Sequence, residues 1–196
     1  MCETVIHEKT AKTPIVIGVA GGSGSGKSTF VGQLQKALSP LQVCSISTEQ
    51  FCRMPLPTMV SPSTGRVYED WNSPDSIDKE NLLETLTAQM SAEAGNDVIL
   101  VEGLSVLFFE DLLKLMDLKI FIELDSDERM YRRIKRNMKM WGVSMEEVAD
   151  YYLESAKYAE EKNFLPTKIK ADLIINGNHN FEKTIGIIRA WIQTQL

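Results

Sequence analysis

The residues best suited to chemistry form the stretch AGGSGSGKST, Ala20 to Thr29, directly after the apolar run Ile15 to Val19. It satisfies the pattern G-x-x-x-x-G-K-[ST], in which backbone N–H groups point inward at phosphate oxygens. The lysine reaches the β- and γ-phosphates, and the next serine offers a hydroxyl to Mg²⁺. A flexible turn with a surface lysine is the alternative, but strand, loop and helix signals follow in the required order. The stretch predicts a nucleoside triphosphate site formed by Gly21, Gly22, Ser23, Gly24, Ser25, Gly26, Lys27, Ser28 and Thr29.

Two glutamates stand at the ends of other apolar segments. Glu49 lies in STEQF after segment 43–47, and Glu102 lies in VEG at the end of segment 98–102. Parallel strands present their carboxyl ends at one edge of a sheet, so both acids are expected beside the phosphate loop. Transfer to a hydroxyl needs a proton acceptor and a held Mg²⁺. We expect Glu49 to be the base, with Ser28, Glu49 and Glu102 at the metal. Taken singly, each acid could equally be a solvated residue at a strand end.

Four arginines share one face of a predicted helix. They follow DSDE (125–128), which resembles a capping box, and occupy positions i, i+3, i+4 and i+7, namely Arg129, Arg132, Arg133 and Arg136. One interpretation is a lid whose guanidinium groups close over the triphosphate and spread its developing charge, with Trp141-Gly142 at its flexible end. The stripe would then face ligand rather than core, and Arg132 would bind the nucleotide. The other interpretation is a solvated, salt-bridged helix face.

Hydrophobic periodicity predicts the elements that position these residues. Short runs rich in Val and Ile, typical of strands buried on both faces, occur at 15–20, 43–47, 98–102, 119–124 and 171–175. Helical patterns lie between them. One follows the phosphate loop, one begins at Ser73-Pro74 and ends at Gly95, and the last places Phe181, Ile185, Ile188 and Ile192 on one face. This alternation predicts an α/β fold with a parallel sheet and helices on both faces.

Composition limits the class of protein. A chain of 196 residues with 43% hydrophobic residues is the size of one globular domain,. The net charge of −6 argues against nucleic-acid or anionic-membrane binding,, and no apolar run approaches the about 20 residues of a membrane span. Cys2, Cys44 and Cys52 form no CxxC, so reduced thiols and a cytoplasmic location are expected,. His7 and His179 are too far apart in sequence to suggest a His-rich metal site or a catalytic triad.

Several motifs together resemble the P-loop nucleoside kinases of the uridine kinase type, whose relatives include nicotinamide riboside kinases and phosphoribulokinase. The motifs are GGSGSGKST, STEQFCR, WNSPDSID, VEG, DSDERMYRRIKRN and LPTKIKADLII. The resemblance implies a P-loop NTPase fold with a five-stranded parallel core, ATP·Mg²⁺, and γ-phosphoryl transfer to the 5′-hydroxyl of a riboside. It implies a single kinase domain over 1–196, with a polar extension at 1–13 and a lid at about 125–160. By position, Glu49 matches the family's catalytic acid, Asn72 its ribose-binding acid, and Arg133 and Arg136 its lid arginines.

The sequence departs from this family where the base would be recognised. Glu49 and Asn72 each stand where the family usually has Asp. The pyrimidine-contacting hairpin is reduced to AGND (94–97), and the Arg-Gly-Arg stretch after the lid helix is WGV (141–143). Nicotinamide riboside or another non-pyrimidine riboside is therefore an alternative acceptor, and Trp71 could stack on its flat ring or belong to the core. An ATP-binding regulatory protein without kinase activity is an alternative of another class. The switch motifs D-x-x-G and N-K-x-D are absent, which disfavours a GTPase, and a homo-oligomer remains an open alternative.

Overall fold

The computed structural model describes residues 13–178 and 180–196, and its main feature is a five-stranded parallel sheet. The strands of the chain are β1 (Ile15–Ala20), β2 (Val43–Ser47), β3 (Thr58–Val60), β4 (Val67–Glu69), β5 (Val98–Glu102), β6 (Leu118–Glu123) and β7 (Leu173–Asn176). The order in the large sheet is β2-β5-β1-β6-β7. The expected parallel α/β sheet is confirmed. Three strands have the predicted bounds, and the last two are shifted by one or two residues.

Strand β1 lies at the centre of the sheet, and all six of its residues are buried. Its alternate side chains enter two different cores, because successive residues of a strand point to opposite faces. Ile17 belongs to the core that also contains the last helix, and Val16 belongs to the core on the other face. Ile185, Ile188 and Ile192 are buried as their spacing predicts. The strand ends that carry the phosphate loop and Glu102 are therefore fixed by two hydrophobic layers.

The helices are α1 (Lys27–Ala37), α2 (Lys79–Gln89), α3 (Glu110–Leu113), α4 (Ser126–Trp141), α5 (Met145–Tyr151), α6 (Lys157–Ala159) and α7 (Glu182–Gln195). The predicted helix from Ser73-Pro74 to Gly95 is wrong in its bounds. Pro74 instead opens a single 3₁₀ turn, and α2 begins only after Asp78, whose side chain accepts the N–H of Asn81 at 3.2 Å. Asp78 is the better cap because its carboxylate satisfies a free amide of the first turn.

A small antiparallel hairpin, formed by β3 and β4, was not predicted from the sequence. Thr58, Met59 and Val60 pair with Glu69, Tyr68 and Val67. The connection contains Ser61-Pro62-Ser63-Thr64-Gly65, and Gly65 has a φ of 74°, a value that favours glycine,. The turn-forming composition between two short alternating segments was the available signal. This β3–β4 hairpin lies in the chain between β2 and α2.

The region expected to form a lid consists of α4 and a second helical segment that follows Gly142. The segment starts at α5, where Ser144 and Glu147 form a capping box, and continues through the π-helical turns Tyr152–Ala156 and Glu160–Phe164 on either side of α6. The capping box predicted for α4 is wrong, because the Asp125 side chain makes no capping hydrogen bond. The wide turns bring residues four or five apart onto the same buried face.

Within the described residues, no helix is both long and apolar enough to cross a membrane. Cys44 and Cys52 are half-buried free thiols. Cys2, His7, His179 and most of the expected extension at 1–13 lie outside the described residues.

Candidate functional site

The phosphate loop curls between the end of β1 and the start of α1. Gly26 precedes α1 with a φ of 101°, a left-handed conformation that suits glycine,. A Cβ atom on Gly22 would collide with the Arg129 guanidinium, so the loop packs closely on α4. The Ser25 side chain is fully buried, and its Oγ has no hydrogen-bond partner among the described residues. The loop therefore has the tight glycine cradle that a triphosphate requires.

Lys27 is the buried cation of this loop. Its side chain is 7% exposed, and Nζ donates to the Gly22 carbonyl at 3.1 Å. Burial lowers the pKa of Lys27, while the charges of Glu102, Glu49 and Glu160 oppose that shift. An ammonium that has lost most of its water is stabilised further by a polyanion such as a triphosphate.

The two predicted carboxylates both lie at the loop edge of the sheet. Ser47 pairs with Glu102 across β2 and β5, and Glu49 follows in an exposed 3₁₀ turn, Thr48–Phe51. Ser28 Oγ donates to Glu102 Oε1 at 3.1 Å. Among the described residues, no group of three or more His, Cys, Asp or Glu side chains could hold a metal ion alone. The hydroxyl and carboxylate suit Mg²⁺ held partly by phosphates, which usually binds few protein ligands.

The four arginines divide into two buried and two more accessible side chains. Arg129 is 3% and Arg133 7% exposed, so the expectation that the whole stripe faces ligand is wrong. Arg132 donates to the Gly177 carbonyl at 3.1 Å and to Asn178 Oδ1 at 2.8 Å. Arg136, which is exposed, donates to Ser23 Oγ at 3.2 Å. The stripe therefore joins α4 to the phosphate loop and to the loop after β7, and only part of it is solvated.

Arg133 combines burial with unused hydrogen-bonding capacity. Its guanidinium lies over the rings of Tyr151 and Tyr152, 5.5 and 5.8 Å from their centroids. No acceptor among the described residues forms a hydrogen bond with its Nε or Nη1. Burial lowers the pKa of Arg133, and Glu160 opposes that shift. A buried guanidinium with free donors is suited to an anion, since its planar fork matches phosphoryl oxygens.

The predicted acceptor side contains Trp71 and Asn72. Asn72 is 3% exposed, and its Nδ2 donates to Tyr151 Oη at 2.8 Å. Trp71 is 45% exposed, so its side chain is not a core residue. Tyr151 Oη also donates to the Glu69 carbonyl at 3.2 Å, and burial raises the pKa of this phenol. Tyr151 of α5 is thus bonded to the segment that precedes α2.

Sequence reasoning missed four polar residues that the structure brings to this region. Asp70 is buried and accepts the N–H of Asn72 at 3.0 Å. Tyr151 accepts a hydrogen bond from the Asn72 side chain and donates one to the Glu69 carbonyl. Glu154 accepts hydrogen bonds from Thr64 and Tyr68 and so attaches the β3–β4 hairpin to the π-helical turn Tyr152–Ala156. Glu160 is 1% exposed and pairs with Arg129. No local sequence pattern marks these residues. Tyr151, Glu154 and Glu160 have hydrogen-bond partners far away in the sequence.

Comparisons with known proteins agree with this geometry. The model of the phosphoribulokinase/uridine kinase family matches residues 16–87 and 78–181. Uridine kinase of Staphylococcus haemolyticus is 30% identical, over 91% of this chain and 95% of its own length. Uridine kinase-like protein 4 of Arabidopsis thaliana is 32% identical over 98% of this chain, which spans only 45% of that relative.

A solved structure supports the fold alone. A candidate fructose transport system kinase from Silicibacter sp. TM1040 has a TM-score of 0.59 and 19% identity, covering 85% of this chain and 92% of its own. The resemblance drawn from the motifs and the expected P-loop NTPase fold are confirmed by these matches.

Proposed function

Because the chain belongs to the phosphoribulokinase/uridine kinase family, we propose that it transfers the γ-phosphoryl group of ATP to the 5′-hydroxyl of a nucleoside. The expected class of enzyme, an ATP-dependent phosphotransferase with a hydroxyl acceptor, is confirmed for this kinase domain. The riboside, the role of each residue and the use of Mg²⁺ are part of the proposal. So are a single domain over 1–196 with a lid at about 125–160, a cytoplasmic location, and the lack of nucleic-acid and membrane partners, while a homo-oligomer remains an open alternative.

One observation carries this proposal: Lys27 and both carboxylates lie at the same edge of the sheet, since Lys27 binds the phosphate loop, Glu102 accepts from Ser28, and Glu49 follows the strand end that pairs with Glu102. A lysine of the phosphate loop contacts the β- and γ-phosphates. A carboxylate beside it is therefore close to the phosphoryl group that leaves ATP. Glu49 is exposed, so an acceptor hydroxyl can reach it. This combination supports transfer to a second substrate.

The roles of the residues follow from phosphoryl-transfer chemistry. Glu49 would accept the proton of the acceptor hydroxyl. The hydroxyl oxygen would bond to the γ-phosphorus as the bond between that phosphorus and the ADP oxygen breaks. Lys27, Arg133 and Arg136 would balance the charge on the phosphoryl oxygens. Ser28 and Glu102, with Glu49, would hold Mg²⁺, which neutralises charge on the β- and γ-phosphates when bound. Arg132 would contact the nucleotide from α4, held in place by its hydrogen bonds to the loop after β7.

The acceptor side favours a second candidate besides uridine. The connection between α2 and β5 contains only the 3₁₀ turn Ala92–Ala94, and none of its described residues forms a strand. A pyrimidine-contacting hairpin is therefore missing at that place. The β3–β4 hairpin lies on the acceptor side instead, next to Trp71 and Asn72 in the chain. Nicotinamide riboside or another non-pyrimidine riboside is the second candidate, with Trp71 available to stack on its ring.

A coupled ADP-release assay tests the proposal. Uridine, cytidine and nicotinamide riboside are compared with pantothenate, ribulose 5-phosphate and glycerate as non-nucleoside acceptors, and Lys27→Ala is the inactive control. We expect riboside-dependent ADP release. Turnover only with a non-nucleoside acceptor would contradict the riboside assignment. Tight ATP binding without turnover on any acceptor would instead indicate a regulatory protein.

A further inference from the structure

Glu160 is the most deeply buried charged side chain near the phosphate loop, and the proposed reaction gives it no role. Its side chain is 1% exposed and lies in the second π-helical turn of the lid. One carboxylate oxygen, Oε2, accepts a hydrogen bond from Arg129 Nη1. The other, Oε1, accepts the backbone N–H of Ser23 at 3.2 Å and lies 3.8 Å from Arg133 Nη1. A single carboxylate thus contacts α4 and the phosphate loop.

Ser23 is the point at which the lid meets the loop. Its N–H donates to Glu160, and its Oγ accepts from Arg136 Nη2 at 3.2 Å. Arg129 also packs against Gly22 and Gly24, where a Cβ atom would collide with the arginine. The loop tip is therefore held by lid residues on several sides. A displacement of Glu160 would move both the loop tip and the lid arginines.

Arg133 depends on Glu160 for its position more than on hydrogen bonds. Its guanidinium stacks on the rings of Tyr151 and Tyr152. Among the described residues, its ion-pair partner is Glu160. The distance of 3.8 Å between Arg133 Nη1 and Glu160 Oε1 is too long for a hydrogen bond,. The ion pair therefore orients Nη1 but leaves its N–H free to donate to another group. Such an arrangement leaves the guanidinium available to a second anion.

We propose that Glu160 is a positioning residue for phosphoryl transfer. Arg129 binds its Oε2. Its Oε1 orients both the Ser23 amide and the Arg133 guanidinium, so that the two groups can contact the terminal phosphoryl group together. The inference rests on the proposed kinase function, and it adds a residue that acts through Arg133. Arg129 neutralises the carboxylate, which reduces its repulsion of the triphosphate.

The first test is Glu160→Gln, with Glu161→Gln as the matched control. Glu161 is the next residue, 53% exposed, and pairs only loosely with Lys157 at 3.9 Å. We expect kcat of the Glu160 variant to fall about 10²-fold, because a misplacement of about 1 Å has that effect on transfer. Its affinity for ADP should change by less than about threefold, since Lys27 and the loop amides other than that of Ser23 are retained. Unchanged kcat, or an equal loss in the control, would overturn the inference.

A second variant separates positioning from folding, since the glutamine substitution leaves Arg129 buried without its counter-charge. The double variant Arg129→Met/Glu160→Met removes both members of the Arg129–Glu160 pair and leaves Arg133 stacked on its two tyrosines, and buried pairs replaced by apolar residues often keep their stability,. We expect its thermal stability to exceed that of Glu160→Gln while kcat stays about 10²-fold low. Recovery of kcat together with stability would show that Glu160 is only the structural partner of Arg129.

An acceptor-independent measurement distinguishes this inference from the proposed function. The affinity of the protein is measured for ADP alone and for ADP plus aluminium fluoride, which mimics the transferred phosphoryl group in the transition state. The difference between the two affinities reports on Arg133 without turnover. We expect the wild-type protein to bind the mimic more tightly than ADP, and Glu160→Gln to lose about tenfold or more of that preference. If no riboside is phosphorylated but this loss is seen, only the riboside assignment fails. If the variant keeps the preference, the role of Glu160 is refuted whatever the acceptor.

Discussion

Asn72 Nδ2 donates a 2.8 Å hydrogen bond to Tyr151 Oη, although the two residues are 79 positions apart in the sequence. The same tyrosine lies under the guanidinium of Arg133. A side chain of the expected riboside pocket is thereby joined to an arginine of the expected phosphoryl site through one phenol. Acceptor binding and lid position should consequently depend on each other.

Tyr151→Phe should weaken acceptor binding and leave nucleotide binding unchanged. The variant keeps the ring beneath Arg133 but leaves the buried Asn72 amide without its acceptor, a loss of about 1–3 kcal/mol. We expect KM for the acceptor to rise about 5- to 100-fold, with ATP affinity within about twofold of wild type. Steady-state kinetics and calorimetry provide both values. Tyr131→Phe, at an exposed tyrosine of α4, is the control, and a similar rise in KM there would contradict the coupling.

Lys27→Ala should abolish phosphoryl transfer in a folded protein. The ammonium is buried and bonded to the loop itself, so its removal eliminates the charge that faces the β- and γ-phosphates. Turnover and circular dichroism are to be measured beside Lys36→Ala, an exposed lysine of the same helix. Normal turnover in a folded Lys27 variant would remove the loop assignment.

Arg133→Ala and Arg136→Ala should differ in stability although both should lose turnover. A stripe that faces ligand, as the lid interpretation of the sequence predicts, would leave stability nearly unchanged in both variants. Arg133, however, is 7% exposed and stacked on two tyrosines, so its loss should cost about 2 kcal/mol. Arg136 is exposed and should change stability by no more than about 0.5 kcal/mol. We expect kcat to fall about 10²- to 10³-fold in each. Thermal melts measure the stability of both variants, and steady-state kinetics measure kcat. Equal melting temperatures for the two variants would contradict the packing argument for Arg133.

Glu49→Gln should retain ATP binding and lose transfer by about 10²-fold or more, the usual scale for a general base. Glu49→Asp should also be impaired, because the shorter side chain withdraws the carboxylate by about one bond length. Single-turnover rates and nucleotide affinities are measured for both, with Glu84→Gln on the exposed face of α2 as the control. Full activity of the glutamine variant would exclude Glu49 as the base.

The attachment of the β3–β4 hairpin to the lid should weaken in acid. Hydrogen bonds from Thr64 and Tyr68, together with Arg66, lower the pKa of Glu154. A carboxyl whose folded pKa is depressed contributes stability above its unfolded pKa of about 4.3, and that contribution is lost as the pH falls through the folded value. We expect amide-exchange protection of residues 58–69 to decrease below about pH 4 relative to neutral pH. Glu154→Gln, compared at each pH, should lack this dependence, and identical profiles would disprove the attribution.

The phosphate loop, the central strands and the family resemblance could all be predicted from the amino-acid sequence. Each of these depends on residues that are neighbours in the chain. Gly26 and Lys27 act through the turn that they form, and the apolar run 15–20 is buried whichever helices cover it. The two strand-end acids could be placed because parallel strands present their carboxyl ends at one edge.

Only the tertiary structure divided the arginine stripe into buried Arg129 and Arg133 and the more accessible Arg132 and Arg136. Helical spacing gives the face on which these residues lie, but the groups that cover the face come from another segment. Glu160 reaches Ser23 across 137 positions of sequence. The contacts of the β3–β4 hairpin with Glu154 likewise form only after folding, because Thr64 and Tyr68 are distant from Glu154 in the chain and contact energies depend on distance in space.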